Sequence, residues 1–372
     1  MFFTRKNSFN LLCLFIITLL FLPGFGRELK GQDVSIHENR FLLSPYNCRK
    51  INNSALYQGN RKKKKYFEGW YFKLIGDKGK QKISIIPGIS FGKNGTAHAF
   101  IQVIDGNSGK TSYNSFPADS FFYSKHRFEI RIGQNYFSDD SLQLALPYMN
   151  DTLRGTVYFH DTSELPGRFL QPTIMGWYRY VPFMECYHGV VSINHSLSGI
   201  LNLRDEEHNF AGGRGYIEKD WGKSMPESWI WMHCNGFEEA SVSFMVSVAR
   251  IPWLGNSFTG FLGFFSTGSK IHRFATYTGA MLKVVSVENE KVKLVIEDKK
   301  HLYQIEATRE SFGILAAPEM GEMDRRIAEG LDAKVDLEIF DKKQNKIIYK
   351  GKGVNAGLEI VGNTNLLMPE NQ

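Results

Sequence analysis

The stretch GYIEKDWGKSMPESWIWMHCN, from Gly215 to Asn235, sets Glu218, Asp220, Glu227 and His233 among Trp221, Trp229 and Trp231. Surface loops carry such acids without the tryptophans, and cores carry the tryptophans without the acids. Strand geometry makes the mixture interpretable, because successive side chains of extended backbone point to opposite faces. Tyr216, Glu218 and Asp220 then share one face, and Ile217, Lys219 and Trp221 the other. Gly222 to Pro226 reads as a connection. In the next segment Trp229, Trp231 and His233 share a face opposite Ile230, Met232 and Cys234. If the two segments pair, an acid-bearing face lies beside a Trp-Trp-His face.

The same period of two recurs along the chain. Phe128, Ile130 and Ile132 alternate with charged residues, as do Val335, Leu337 and Ile339, while Val242, Phe244, Val246 and Val248 alternate largely with serines. Such patterns predict antiparallel sheet with one buried face. Turn clusters separate them at GDKG (Gly76), GKNG (Gly92) and DGNSG (Asp105). The best short helix candidate is Met320 to Glu329. Many short strands over 372 residues suit two barrels better than one. A faint echo agrees: Glu68-x-Trp70-x-Phe72 in YFEGWYF matches Glu227-x-Trp229-x-Trp231 in PESWIWM. The expected fold is all-β, with two lipocalin-like antiparallel β-barrel domains over 65–205 and 206–372. An extension at 27–64 and a signal segment at 1–26 precede them.

The signal reading rests on a basic start at Arg5 and Lys6 and an apolar run from Leu11 to Leu22, with no acid before Glu28. It implies an exported chain, or alternatively an N-terminal membrane anchor. Removing residues 1–26 takes two cations from a formal charge of +7, leaving +5. RKKKK at Arg61 to Lys65 is the one dense basic run, read as a solvated linker, with peripheral contact to anionic lipid as the alternative. Nucleic acid is not an expected partner, since no reader motif accompanies the charge. Cys48, Cys186 and Cys234 allow at most one disulfide, and their spacing with His188 and His233 fits no zinc pattern, so no metal is expected. Phe261, Phe264 and Phe265 in GFLGFF read as buried strand.

A carboxyl group among aromatic rings loses hydration, which raises its pKa and lets it act as a general acid near neutrality. Ring faces can then stabilise the cation that protonation creates. The plain alternative is that the tryptophans fill cores, the acids sit at a wet rim and His233 is a hydrogen-bonded core histidine.

YFEGWYFK (Tyr66–Lys73), the Gly215–Asn235 stretch and GVNAGLEIVG ending at Gly362 together resemble the tocopherol cyclase family. The resemblance implies kinship with carotenoid hydratase-like and lipocalin-like two-barrel proteins. It implies protonation of the prenyl alkene of a prenylated benzoquinol and closure of a chromanol ring, with no cofactor. On matched positions it implies Asp220 as first candidate for the proton donor, then Glu218 and Glu68, with Tyr216 and His233 orienting the quinol hydroxyl. Trp70, Phe72, Trp221, Trp229 and Trp231 would line a pocket for a hydrophobic small molecule. A non-catalytic lipid or isoprenoid carrier, and a hydratase or cyclisation enzyme acting on another polyene, use the same pocket and stand as the alternatives.

Overall fold

The computed structural model describes residues 45–148, 151–168, 171–203 and 206–368. The signal segment and most of the extension, to residue 44, lie outside the described residues, as does the apolar run from Leu11 to Leu22. Among the described residues no helix is long and apolar enough to cross a membrane.

The described residues form two antiparallel sheets of twelve and ten strands. In the first, Tyr66–Ile75 is flanked by Lys82–Phe91 on one side and Arg214–Gly222 on the other, and Cys186–Leu203 follows. The sheet curls on itself. Ile101 and Val103 near one end of the strand order share a core with Ile130, Ile132 and Phe137 near the other. In the second sheet Trp229–Cys234 lies between Ser243–Trp253 and Lys346–Val361. Its inner core holds Ile230, Met232, Val246, Leu337 and Ile339. Each alternating apolar set is therefore an inward face, as period two requires. Phe261, Phe264 and Phe265 are buried on the Asn256–Ser266 strand.

Three expectations shift. The sheets part between Gly222 and Trp229, so Arg214–Gly222, assigned by sequence to the second domain, completes the first sheet. The Met320–Glu329 helix is instead a hairpin: Met320 and Gly321 have φ of 54° and 82°, and a strand runs on from Glu322 to Asp341. The later part of the extension belongs to the first barrel. After a helix at Pro45–Asn52, Ala55, Leu56 and Tyr57 are buried, and Ala55 and Tyr57 join its core. Arg61 to Lys65 are exposed, which the solvated-linker and the lipid-contact readings both require.

A third apolar cluster lies between the sheets. Tyr71, Ile193 and Tyr216 on the outer face of the first meet Trp229, Trp231, Met245 and Phe264 on the outer face of the second. The two segments of the opening stretch therefore do not pair in one ladder. They sit in different sheets whose outer faces pack together, and that brings the acid face to the Trp face.

Candidate active site

A cleft lies between the sheets, with about 1450 Å³ of empty space when the open solvent at its mouth is included. Its polar wall comes from the first sheet. The ladder sets His188 opposite Asp220 and Val190 opposite Glu218. His188 Nδ1 lies 2.9 Å from Asp220 Oδ1, and Nε2 lies 3.4 Å from Glu218 Oε2 without a hydrogen bond. Glu218 Oε2 accepts from the Tyr216 hydroxyl at 2.6 Å and from the Trp231 indole N–H at 3.1 Å. The second of these bonds crosses from sheet to sheet.

The opposite wall carries Trp229, Trp231 and Glu359. Trp229 Nε1 donates to Glu359 Oε2 at 2.5 Å. Glu329 faces Glu359 across the ladder, is buried, and accepts the Tyr71 hydroxyl on Oε1 at 2.5 Å. The rings differ in availability. Arg325 sits 4.9 Å from the Trp229 centroid, so one face already holds a cation. Trp231 lies beside Gly357, where an added Cβ would come within 2.7 Å of the indole, and Tyr71 meets it edge-on at 5.4 Å.

Burial penalises charge here. It pushes Glu218 up to about 8, against the opposing pull of His188 and with help from Asp220. It pushes Glu359 up to about 7, against the Trp229 N–H. Glu329 rises well above the carboxylate range through burial and the neighbouring Glu359. Burial alone would lower His188, but Glu218 and Asp220 outweigh it and lift the imidazolium to about 9. The cleft thus holds a proton-rich cluster at neutral pH. The ligand atoms of His188, Glu218 and Asp220 lie within 4.8 Å of one another, a set that could also accept a cation. Tyr216, Trp231 and His188 already occupy these carboxyl oxygens as donors, which suits protons better than a metal.

Asp220, Glu218, Trp229 and Trp231 line the cleft as the sequence led one to expect. Tyr216 stands behind Glu218 as its buried hydrogen-bond donor. The other candidates lie elsewhere. Glu68 points into the first barrel, where Lys219 Nζ is 2.5 Å from Oε1, the Tyr66 hydroxyl 2.5 Å from Oε2, and the Gln58 and Gly59 amides also donate. Trp70 and Phe72 belong to that barrel's core, and Trp70 Nε1 donates to Ala55 O. Trp221 stacks on Tyr187 at 5.5 Å, beneath Lys219. These four share the inward parity of their strands. His233 is sealed between the sheets, stacked 3.5 Å on Tyr216 with Nε2 3.2 Å from Ser243 Oγ, and burial drives its pKa well down. It ties the walls together and does not reach the cleft. Cys186 and Cys234 are free thiols.

His188, Glu359, Glu329 and Tyr71 escaped the sequence reading. In the sequence His188 stands out only beside Cys186, in a spacing that fits no zinc pattern. Glu359 lies inside the quoted GLEIVG, where its period-two partnership with Gly357 and Val361 was the available signal.

A family model described as tocopherol cyclase-like matches residues 165–362, and the chain belongs to this family. The matched stretch contains His188, Glu218, Asp220, Trp229, Trp231 and Glu359, whereas YFEGWYFK falls before it. A rice relative (Oryza sativa subsp. japonica) named "Probable tocopherol cyclase, chloroplastic" is 30% identical over 203 residues, covering 52% of this chain and 43% of the relative. "Tocopherol cyclase, chloroplastic" of Zea mays is 29% identical over 203 residues, covering 52% and 42%. The match spans less than half the length of these relatives. Kievitone hydratase from Nectria haematococca aligns over 79% of this chain and 88% of its own, with 8% identity and a TM-score of 0.47.

Proposed function

We propose that this chain is an acid-catalysed cyclase that closes an oxygen ring on a prenylated phenol or quinol. The carrying observation is the Asp220–His188–Glu218 cluster on one wall of an apolar cleft, with Trp231 hydrogen-bonded to Glu218 from the other wall. The family membership supports the same chemistry.

Asp220 is the proposed donor. Its side chain is 23% exposed, the most open of the cluster, and His188 Nδ1–H can stabilise the carboxylate that remains after proton transfer. Glu218 beside it, pushed up to about 8 by burial, is held protonated at neutral pH and adds no negative charge to the cluster. Protonation of a trisubstituted alkene gives a tertiary cation, which the face of Trp231 stabilises. The surrounding Met184, Met225, Ile251, Phe258 and Leu262 keep water from competing with the phenol oxygen.

Incubation with a prenylated benzoquinol, followed by liquid chromatography and mass spectrometry, tests this. A product of unchanged mass, absent with Asp220→Asn, supports it. A product heavier by one water transfers the reading to a hydratase. Retained ligand without turnover transfers it to a carrier. We also propose that residues 1–26 direct export, which the N-terminus of the mature chain checks by mass spectrometry.

A further inference from the structure

We infer that Glu359, on the wall opposite Asp220, is the catalytic base that takes the phenolic proton during ring closure. The assignment rests on the cyclase reading above and divides its proton chemistry between the two sheets.

The reaction requires such a group. A proton leaves Asp220 for the less substituted alkene carbon, and the alkene π pair becomes the new C–H bond. The tertiary carbon is left positive. A lone pair of the phenol oxygen forms the C–O bond, and the oxygen is then positive until its O–H bond breaks. That bond leaves its electron pair on oxygen, and its proton must go to an acceptor. One proton enters and one leaves, with no change in oxidation state. Asp220, having just become a carboxylate on the alkene side, would have to reach both ends of the forming bond to recover the proton directly. An acceptor on the phenol side removes that demand.

Glu359 is built for that place. It lines the cleft, on the strand neighbouring Trp231, and Trp229 Nε1 fixes Oε2 at 2.5 Å. That bond occupies one oxygen with a donor, favours the anion and leaves Oε1 to accept. The other groups that bear on its charge are Glu329 on the paired strand, Arg309, and Asp220, Glu218 and His188 from the first sheet. Glu329 is unsuited to the role itself. It is buried away from the cleft, and Tyr71 occupies Oε1. With Glu329 held neutral beside it, Glu359 is the member of this acid pair that can ionise near neutral pH. After closure, the proton on Glu359 returns to Asp220 through solvent when the product leaves.

The test compares the unaltered chain with Glu359→Gln and Glu359→Asp on one prenylated benzoquinol, following kcat and KM from pH 5 to 9. Quinol binding is read separately by tryptophan fluorescence. Gln keeps an acceptor for Trp229 but removes the base. Glu359→Gln is expected to lower kcat about 100-fold or more, with KM and binding within about threefold. The unaltered chain should lose rate as pH falls through about 7, because the base is protonated, and this limb should vanish in Glu359→Gln. Glu359→Asp should recover part of the rate and the limb. A Glu359→Gln chain that binds quinol and keeps kcat within threefold, or keeps the acid limb, overturns the assignment while leaving the cyclase reading intact. Quinol binding without turnover by the unaltered chain overturns the cyclase reading, and this assignment with it.

Discussion

Glu68 and Glu218 are two buried glutamates on neighbouring, directly paired strands, yet they face opposite ways. Glu68 turns into the closed barrel and meets a full cation, a hydroxyl and two backbone amides. Lys219 answers it in kind: its ammonium, without exposure, also donates to the Ser54 and Leu56 carbonyls and rides over Trp70 and Trp221. Glu218 turns out to the cleft and meets neutral donors and an imidazole. One acid is locked into an ion pair that fastens residues 54–59 to the barrel. The other is left with an adjustable proton. Burial alone does not make a catalytic group, because what surrounds the carboxyl decides whether its charge is neutralised by a partner or by a proton.

The comparison can be broken at its most reactive point first. Asp220→Asn should reduce turnover about 10²- to 10⁴-fold, measured as quinol consumed, with the urea midpoint little moved. A near-normal rate would place the donor elsewhere. Lys219→Met should cost about 3–5 kcal/mol in denaturant unfolding, because it strands Glu68 in the barrel without its cation. A loss below about 1 kcal/mol would mean that the remaining donors suffice.

The pH dependence of stability sharpens the contrast. A folded-state pKa raised to about 8 means that Glu218 contributes stability fully below the ordinary carboxylate value of 4.5, and loses it as pH climbs through about 8. His188, raised to about 9 from 6.5, has the same sign over a higher window. Glu218→Gln should therefore flatten the fall in stability between pH 5 and 8 relative to the unaltered chain, read by unfolding at each pH. An unchanged slope would show Glu218 to be ionised throughout. The smallest effect separates two tryptophans. Trp231→Phe removes the donor to Glu218 and should slow turnover by about five- to tenfold, the worth of a bond of about 1 kcal/mol. Trp221→Phe, on the barrel side, should leave turnover within about twofold.

Alternation told which side chains travel together, and it did so correctly: Tyr216, Glu218 and Asp220 do share a face, as do Trp229, Trp231 and His233. It did not tell which face is inside a barrel and which looks onto the second sheet. YFEGWYF and PESWIWM have the same acid-and-ring pattern, yet Glu68, Trp70 and Phe72 point into a core while Trp229 and Trp231 point into the cleft. Parity has no sign until the partner strands are known. Lys219 shows why the sign was hidden, since a lysine on the inward face looks like the wet side of a strand. His188 and Glu359 escaped for a different reason. Each enters the site through the register of a ladder that joins residues distant in sequence, and no local pattern encodes that register.

The Arg214–Gly222 strand fills the slot between Tyr66–Ile75 and Cys186–Leu203. During synthesis the first barrel therefore waits, with two facing edges unpaired, until residue 222 has left the ribosome. Its early strands must stay soluble while well over a hundred residues are added, a delay of the kind that exposes nascent β-sheet to aggregation. A fragment cut near residue 205 would keep that gap permanently and should precipitate. One carried through Gly222 is the shortest piece in which the first barrel can close.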